Sequence, residues 1–299
     1  MKNDKPIVIN TISELHRLAN LEKPLHPMVS VIKFEEMAIP EEAQGVKAIF
    51  NLYSLFLKKN VKGKFKYGQD YYDFDEGVLG MNGPGQVMKL DDQYEATGWG
   101  LVFHPDFIQG YPLAQSIKKY GFFSYAVHEA LHVSAQEERL LESIFQNIEN
   151  EYHHSIDAHS QYVMISQLEL LFNYTNRYYS RQFITRKNAS QSIIANFETV
   201  LSAYFEEHYG ELPNVQYFSD QLHISTHYLS DLLRKYTGQN TQQHIHKKII
   251  EIAKEKLSTT DLSVSEIAYE LGFEHSQSFN KLFKSKTQVT PLEYRKSFL

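Results

Sequence analysis

Hydrophobic residues in the first hundred or so positions form short runs that are separated by turn-forming residues. Runs of this length between stretches rich in Gly, Asn and Pro predict short β-strands. Strands at such spacing are typical of a compact sandwich or barrel. The runs span residues 28–34, 49–57, 78–81 and 98–103, and the clearest turns lie at residues 62–64 and 81–85.

From about residue 134 the hydrophobic spacing becomes helical. Ser134 and Glu137 form a capping-box pattern, which predicts a helix with apolar residues at positions 140, 141, 144, 145 and 148. A second long helix is predicted over about residues 157–183, and it is apolar on more than one side. Two interpretations stay open: the helices of residues 134–184 join two chains in a homodimer, or they only pack against the β-rich domain.

A basic and polar stretch over residues 185–191 predicts a linker, and the pattern after it is helical throughout. The predicted fold class is therefore α+β, with a β-rich N-terminal domain (residues 1–184) and an all-α C-terminal domain (residues 192–299). A chain of 299 residues is long enough for two such domains.

Composition narrows the chemistry that is available. The chain has no cysteine, which excludes disulfides, thiolate catalysis and cysteine-based zinc sites. Its net charge of −6 gives no overall attraction to nucleic acid or to acidic membranes. The N-terminus lacks the apolar core of a signal peptide, and no uncharged apolar run is long enough to span a membrane. We therefore expect a cytoplasmic protein without membrane contact.

The last eighty or so residues contain an internal repeat. Leu222 and Ile224 correspond to Leu271 and Phe273, which lie 49 positions later, and the offset then becomes 50. One inserted residue in the second turn explains this change. The pairs at offset 50 are Leu229 with Phe279, Leu232 with Leu282, Leu233 with Phe283, Arg234 with Lys284, Thr237 with Thr287, and His244 with Tyr294.

Each copy follows the helix-turn-helix plan of two short helices joined by a tight turn. In the first copy (about residues 215–236), Ser225 is expected to cap the second helix and Gly238 to end it. In the second copy (about residues 263–286), Ser263 and Glu266 form a capping box. A connector helix over residues 241–257 should hold the two second helices about one DNA turn apart, roughly 34 Å.

These residues resemble the signature of the AraC/XylS family of bacterial transcription regulators. The resemblance rests on residues 263–273, 278–284 and 290–295, and it covers about residues 215–298. Two positions depart from the family pattern. Gln288 stands where the family usually has glycine, which affects a turn, and Ile249 stands where a connector arginine is common, which affects one phosphate contact.

The resemblance implies that the second helix of each copy enters a major groove of double-stranded DNA. Asn and Gln can pair with adenine, Lys with guanine, and Asp with the amino group of cytosine. A solvated helix face without DNA contact is the alternative. The base-reading positions implied are His227, Ser230, Asp231, Ser276, Gln277, Asn280 and Lys281, and the phosphate contacts implied are Ser225, Arg234, Lys235, Lys284 and Lys286.

From Ser225 onward there are eleven Lys and Arg against eight Asp and Glu. This small positive excess predicts modest, salt-sensitive affinity for any DNA sequence. Specificity must then come from base contacts, DNA bending or dimerisation.

The resemblance also implies an N-terminal sensing or dimerisation domain, often cupin-like, although the sequence shows no diagnostic cupin motif. Aromatic residues crowd its middle, where they could line a pocket for a small molecule or simply fill a β core. They are Tyr67, Tyr71, Tyr72, Phe74, Trp99, Phe103 and Phe107.

His128, Glu129 and His132 form an H-E-x-x-H pattern, which on a helix can bind zinc through both histidines while the glutamate acts as a base. A new helix begins at Ser134, which leaves little room for a zinc-binding helix. The pattern fixes only three positions, and no third ligand stands out beyond Glu149 and Glu151.

We therefore expect a DNA-binding transcription regulator that is not an enzyme and needs no cofactor or metal. Control by a small-molecule effector or a partner, and contact with RNA polymerase as an activator, follow from the resemblance alone. A regulator that senses nothing and a zinc-dependent hydrolase using His128, Glu129 and His132 are the alternatives.

Overall fold

A computed structural model describes residues 6–59, 65–67, 70–72, 77–89, 97–126, 129–154, 157, 159–185 and 187–297. It divides the chain into two compact units, Met1–Thr185 and Arg186–Leu299.

The first unit combines strands with helices in its described part. Its strands are β1 (Ile7–Ile9), β2 (Val29–Lys33), β3 (Lys47–Phe50), β4 (Tyr53–Lys59), β5 (Phe65–Tyr67), β6 (Asp70–Tyr72), β7 (Val78–Asn82), β8 (Gln86–Lys89), β9 (Thr97–Phe103) and β10 (Leu131–His132). Its α-helices are α1 (Ile12–Leu18), α2 (Leu113–Ser116), α3 (Ala135–His153) and α4 (Ser160–Thr185).

Among the described residues the strands form two main sheets. One has the order β10-β7-β4-β9-β2, with every neighbouring pair antiparallel. The other has the order β1-β3-β8, in which β1 runs parallel to β3. Strands β5 and β6 form a separate antiparallel pair. This β-rich fold agrees with the predicted fold class.

The larger sheet is covered on both faces, because every residue of β9 except Thr97 is buried. On one face Trp99 contacts Phe145 of α3, and Lys59 of β4 pairs with Glu142 of α3. On the other face Val102 belongs to the apolar cluster built by α1 and the smaller sheet. Burial on both faces explains why this strand has no polar alternation.

Two expectations are corrected in this unit, and one strand and one helix are added to those expected. The run at 49–57 is two strands, because Asn51 interrupts the pairing and its N–H donates to the carbonyl of Ile9 instead. The helix expected over 157–183 begins at Ser160, since the Asp157 carboxylate accepts the N–H groups of His159 and Ser160. Strand β1 and helix α1 were not predicted, although the Thr11–Glu14 capping box marks the start of α1.

Three of the aromatic residues that could line a pocket have described side chains, and these lie in the core. Trp99, Phe103 and Phe107 are buried in the core, with Phe103 and Phe107 in contact with each other. Phe74, like the turn predicted at 62–64, lies outside the described residues, and the structure describes only the backbone of Tyr67, Tyr71 and Tyr72.

The described part of the second unit is helical. Residues 187–191, expected to be a linker, form the first turns of a helix, because the stretch contains neither Pro nor Gly to stop one. The helices are α5 (Lys187–Glu207), α6 (Val215–Leu222), α7 (Thr226–Thr237), α8 (Thr241–Thr259), α9 (Val264–Glu270), α10 (Ser276–Thr287) and α11 (Pro291–Lys296).

One apolar cluster unites these helices. It includes Phe197 of α5, Phe218 of α6, Leu229 of α7, Ile249 of α8 and Phe279 of α10. The helical periodicity of the repeat is thus explained by burial in a single core. Across the described residues of both units, no helix combines the length and the apolar character needed to cross a bilayer.

Candidate nucleic-acid interface

The first repeat copy folds as the sequence predicts. Helix α6 ends at His223, which adopts a left-handed conformation with φ of 55°. The hydroxyl of Ser225 then accepts the N–H of Tyr228 and caps α7, and α7 ends at Gly238 with φ of 76°. The left-handed His223 and the Ser225 cap therefore fix the turn between α6 and α7, and the left-handed Gly238 ends α7.

The second copy repeats this plan with a longer turn. Ser263 and Glu266 close both bonds of the capping box at the start of α9. Gly272, with φ of 88°, lies where an added Cβ would come within 2.2 Å of the backbone nitrogen of Leu212. The turn is therefore pressed against the segment between α5 and α6. Gln288 ends α10 in a left-handed conformation with φ of 67°, close to the 76° of Gly238 at the end of α7. The turn after α10 therefore has the same backbone conformation without a glycine.

Helix α10 presents a polar face opposite its buried face. Phe279 and Phe283 are fully buried, whereas Gln277, Lys281 and Lys284 are exposed. These exposed residues follow the spacing i, i+4 and i+7, so they lie along one side of the helix. Ser276 and Asn280 flank that side and are half-buried, Lys286 is exposed near the helix end, and the exposed Ser278 and Ser285 were not among the predicted contacts.

Helix α7 presents a different chemistry at the equivalent positions. His227 and Arg234 are exposed and Asp231 is half-buried. The Arg234 guanidinium donates to the Asp231 carboxylate at 2.6 Å, so the predicted base contact and the predicted phosphate contact form an ion pair with each other. Lys235 is exposed beside them.

Ser230 flanks this side of α7 and is half-buried. Its hydroxyl is 3.0 Å from the hydroxyl of Thr241, the fully buried first residue of α8. This bond ties α7 to the connector helix. The role of Ser230 in reading a base stays a prediction, in which its hydroxyl would have to share or exchange this partner. Sequence spacing alone could not reveal this contact, since it depends on where α8 returns.

Two histidines on α8 are half-buried near these elements. Burial, with the nearby charge of Lys247, lowers the pKa of His244 below its usual value of 6.5, while Glu198 acts weakly in the opposite direction. The ring of His244 lies 2.7 Å from the Thr237 hydroxyl at the end of α7. Burial and the charge of Lys286 likewise lower the pKa of His246. Both rings are therefore neutral near pH 7.

The H-E-x-x-H pattern does not lie on an α-helix in its described part. Leu131 and His132 form β10, which pairs with β7, and this non-local pairing replaces the helix that the zinc geometry needs. The Glu129 side chain is fully buried and accepts the N–H of Ala126. His128 lies outside the described residues, and no group of three or more metal-ligating side chains occurs among those described.

Comparison with known proteins identifies the family of the second unit. A family model described as a helix-turn-helix domain matches residues 218–297. The C-terminal unit belongs to the AraC/XylS family.

The relatives match about a third of the chain rather than all of it. The uncharacterized HTH-type transcriptional regulator YijO of Escherichia coli K12 is 32% identical over 104 residues, 35% of this chain and 36% of YijO. The HTH-type transcriptional activator RhaS of Escherichia coli is 28% identical over 115 residues, 38% of this chain and 41% of RhaS. The chain thus spans about a third of YijO and two fifths of RhaS.

Among solved structures, the C-terminal domain of the two-component response regulator yesN from Fusobacterium nucleatum shares 35% sequence identity. The match covers 33% of this chain and 98% of that domain, with a TM-score of 0.30.

Proposed function

We propose that this chain is a sequence-specific transcription regulator that binds double-stranded DNA through its AraC/XylS-type unit and is not an enzyme. The observation that carries the proposal is the pair of second helices, α7 and α10, each buried along one side in a shared core and polar along the other. Such helices can enter successive major grooves when a connector fixes their separation. The connector here is α8.

Helix α10 supplies most of the electrostatic attraction in this proposal. It carries Lys281, Lys284 and Lys286 and no acidic residue. Gln277 and Lys281 would read base edges near the start of the helix, with Ser276 and Asn280 beside them. Lys284 and Lys286 would contact phosphates and set the register.

Helix α7 has a smaller reading surface. His227 and Asp231 would face bases, while Arg234, Lys235 and Ser225 would face phosphates. The ion pair between Asp231 and Arg234 holds both side chains before DNA arrives. DNA contact therefore requires one of them to exchange that partner, which favours discrimination between sequences over raw affinity.

The test is selection of binding sites for the full-length chain from a random duplex pool, at near-physiological salt. Two short enriched boxes about one helical turn apart are expected. The double variant Gln277→Ala, Lys281→Ala should lose about 30-fold or more in affinity for the selected site, at about 1–3 kcal/mol per base contact. The control Gln136→Ala, Lys23→Ala removes the same side chains from exposed positions of the first unit and should bind normally. Equal binding by both double variants would refute the assigned reading face.

For the first unit we infer a dimerisation role through α4. This helix exposes Val163 and Leu170, seven residues apart and hence on one side, together with Tyr162 and Ile184. Sedimentation of the full chain should give a dimer that Val163→Glu, Leu170→Glu dissociates. A monomeric wild-type chain would contradict this role. A small-molecule effector acting on this unit, contact with RNA polymerase and a cytoplasmic location stay predictions. A ligand screen by thermal shift addresses the effector.

A further inference from the structure

The C-terminal end of α8 is the junction of the two repeat copies. Helix α8 is the third helix of the first copy, and residues 260–263 lead directly from it to α9. The last four carbonyl groups of a helix have no partner within the helix, so something else must satisfy them. At Lys256 this is done locally, because the N–H and the hydroxyl of Thr260 both donate to its carbonyl.

Arg295 of α11 contacts the next part of this junction. Its Nε–H donates to the carbonyl of Leu257 at 3.2 Å, and its Nη2–H donates to the carbonyl of Leu262. One carbonyl belongs to the last turn of α8 and the other to the loop before α9. The planar guanidinium therefore holds the end of the connector helix and the start of the second copy in one fixed geometry. A cation at a helix C-terminus is also favoured by the helix dipole.

The repeat shows that this cation is a departure from the plan of the first copy. Helices α8 and α11 begin alike, with Asn240 and Thr290 each closing a capping box 50 positions apart. Five residues further on, the first copy has Ile245, which is fully buried in the core. The second copy has Arg295 there. An apolar core residue in one copy is thus replaced by a hydrogen-bonding group that faces the junction.

A second tie lies at the same end of α8. The Lys256 ammonium is 2.7 Å from the Glu270 carboxylate at the end of α9. Hydrogen bonds from Lys256 and from Tyr209 lower the pKa of Glu270, so this carboxylate is ionised near neutral pH. Arg295 and Lys256 therefore join α8 to α11 and to α9, the two helices that flank α10.

We propose that Arg295 is a positioning residue that fixes the distance and angle between α7 and α10, and thereby sets the spacing between the two DNA boxes. This inference rests on the proposed DNA-binding function. The apolar core joins the helices through attraction that has no preferred direction. Hydrogen bonds have narrow preferred distances and angles. The fork of Arg295 supplies a directional restriction at the junction between the two copies.

The experiment measures spacer preference with the full-length chain. Duplexes carry the two selected boxes with the selected spacer, or with one base pair added or removed. One base pair shifts a box by about 3.4 Å and about a tenth of a turn. Wild-type protein should bind the altered spacers about tenfold or more weakly. In Arg295→Ala this preference should fall below about threefold, while the preferred sequence of each box stays the same. Arg295→Lys, which keeps the charge without the fork, should lie between them.

The control is Lys296→Ala, which removes a positive charge at the exposed neighbouring position and should keep the wild-type spacer preference. An Arg295→Ala variant that is folded by circular dichroism and keeps that preference would overturn the proposal. If Arg295→Ala does not fold, Arg295→Lys decides, and a wild-type preference in that variant overturns the proposal equally. If wild-type protein selects no sequence, the DNA-binding function itself fails, which is a separate result.

Discussion

Two glycines of the second unit, Gly238 after α7 and Gly272 in the turn between α9 and α10, offer a matched test of how much a close backbone contact adds to the need for glycine. Gly238 and Gly272 both have positive φ, 76° and 88° respectively. A Cβ at Gly238 would meet nothing within 4 Å, whereas a Cβ at Gly272 would approach the Leu212 nitrogen to 2.2 Å and the Glu211 carbonyl carbon to 2.4 Å. The backbone strain is similar at the two sites and only the steric contact differs.

The expected changes in the free energy of unfolding follow from the backbone strain and the steric contact. A left-handed conformation costs an L-residue about 1–2 kcal/mol, and the lower entropy of the unfolded chain offsets about 0.4–1 kcal/mol of it. Gly238→Ala should therefore destabilise by roughly 0.5–1 kcal/mol. At Gly272 the neighbouring atoms are backbone and cannot rotate away, which adds about 1–3 kcal/mol of overpacking. Gly272→Ala should therefore lower the free energy of unfolding of this unit by about 2–4 kcal/mol.

The chain provides its own reference signal for the assay. Its one tryptophan, Trp99, lies in the first unit. In a urea titration, tryptophan fluorescence therefore follows the first unit, while far-ultraviolet circular dichroism also follows the helices of the second. Gly272→Ala should move the second-unit transition to lower urea by about 1 M or more, since slopes are about 1–3 kcal/mol per M. The fluorescence transition should not move.

Equal shifts for Gly238→Ala and Gly272→Ala would refute the reasoning, because the steric contact would then contribute nothing. A fluorescence transition that moves together with the dichroism would mean that the two units unfold as one cooperative body.

Two further predictions concern single residues of the second unit. Gln288→Gly should stabilise by about 0.5–1 kcal/mol, because Gln288 has positive φ and its amide makes only an exposed bond to Ser285, as thermal and urea melts can check. The pKa of His244 is lower in the folded chain than in the unfolded chain, so the unfolded chain binds the proton first as the pH falls. The stability that this group contributes is therefore complete above the unfolded pKa of 6.5 and is lost as the pH falls through the lower, folded pKa. His244→Gln should therefore lose less stability than wild type between about pH 7.5 and 5.5 in urea titrations, and an identical loss in both would contradict the assignment.

Features fixed by neighbouring residues could be predicted from the sequence. Ser134, Ser225 and Ser263 each cap the helix they were expected to start, because capping needs only the next three residues. Both copies of the repeat were found for the same reason, since their spacing follows the helical period of a buried face.

Features fixed by distant residues could not be predicted in this way. Ser230 bonds to Thr241 only because α8 returns beside α7. His132 lies in a strand because β7 pairs with it, although the local pattern also suits a helix. Ile249 stands at a connector position where the sequence analysis expects a phosphate contact to be lost. Its side chain is 1% exposed and belongs to the apolar core, so it packs inside the domain instead of facing DNA.

The unequal charge of the two second helices leads to a last prediction. Asp231 pairs with Arg234 on α7, whereas α10 itself contains no acidic residue beside its lysines. Asp231→Asn removes the repulsion between this carboxylate and phosphate and releases Arg234 to contact the backbone. Fluorescence anisotropy at several salt concentrations should show a higher affinity for unrelated duplexes. The slope of log affinity against log salt concentration should become steeper by about one unit, which corresponds to one more released counterion. Discrimination within the box read by α7 should fall, because an amide presents both donor and acceptor where the carboxylate only accepts. Unchanged salt dependence would mean that Arg234 does not reach a phosphate, and the ion pair would then serve only the stability of α7.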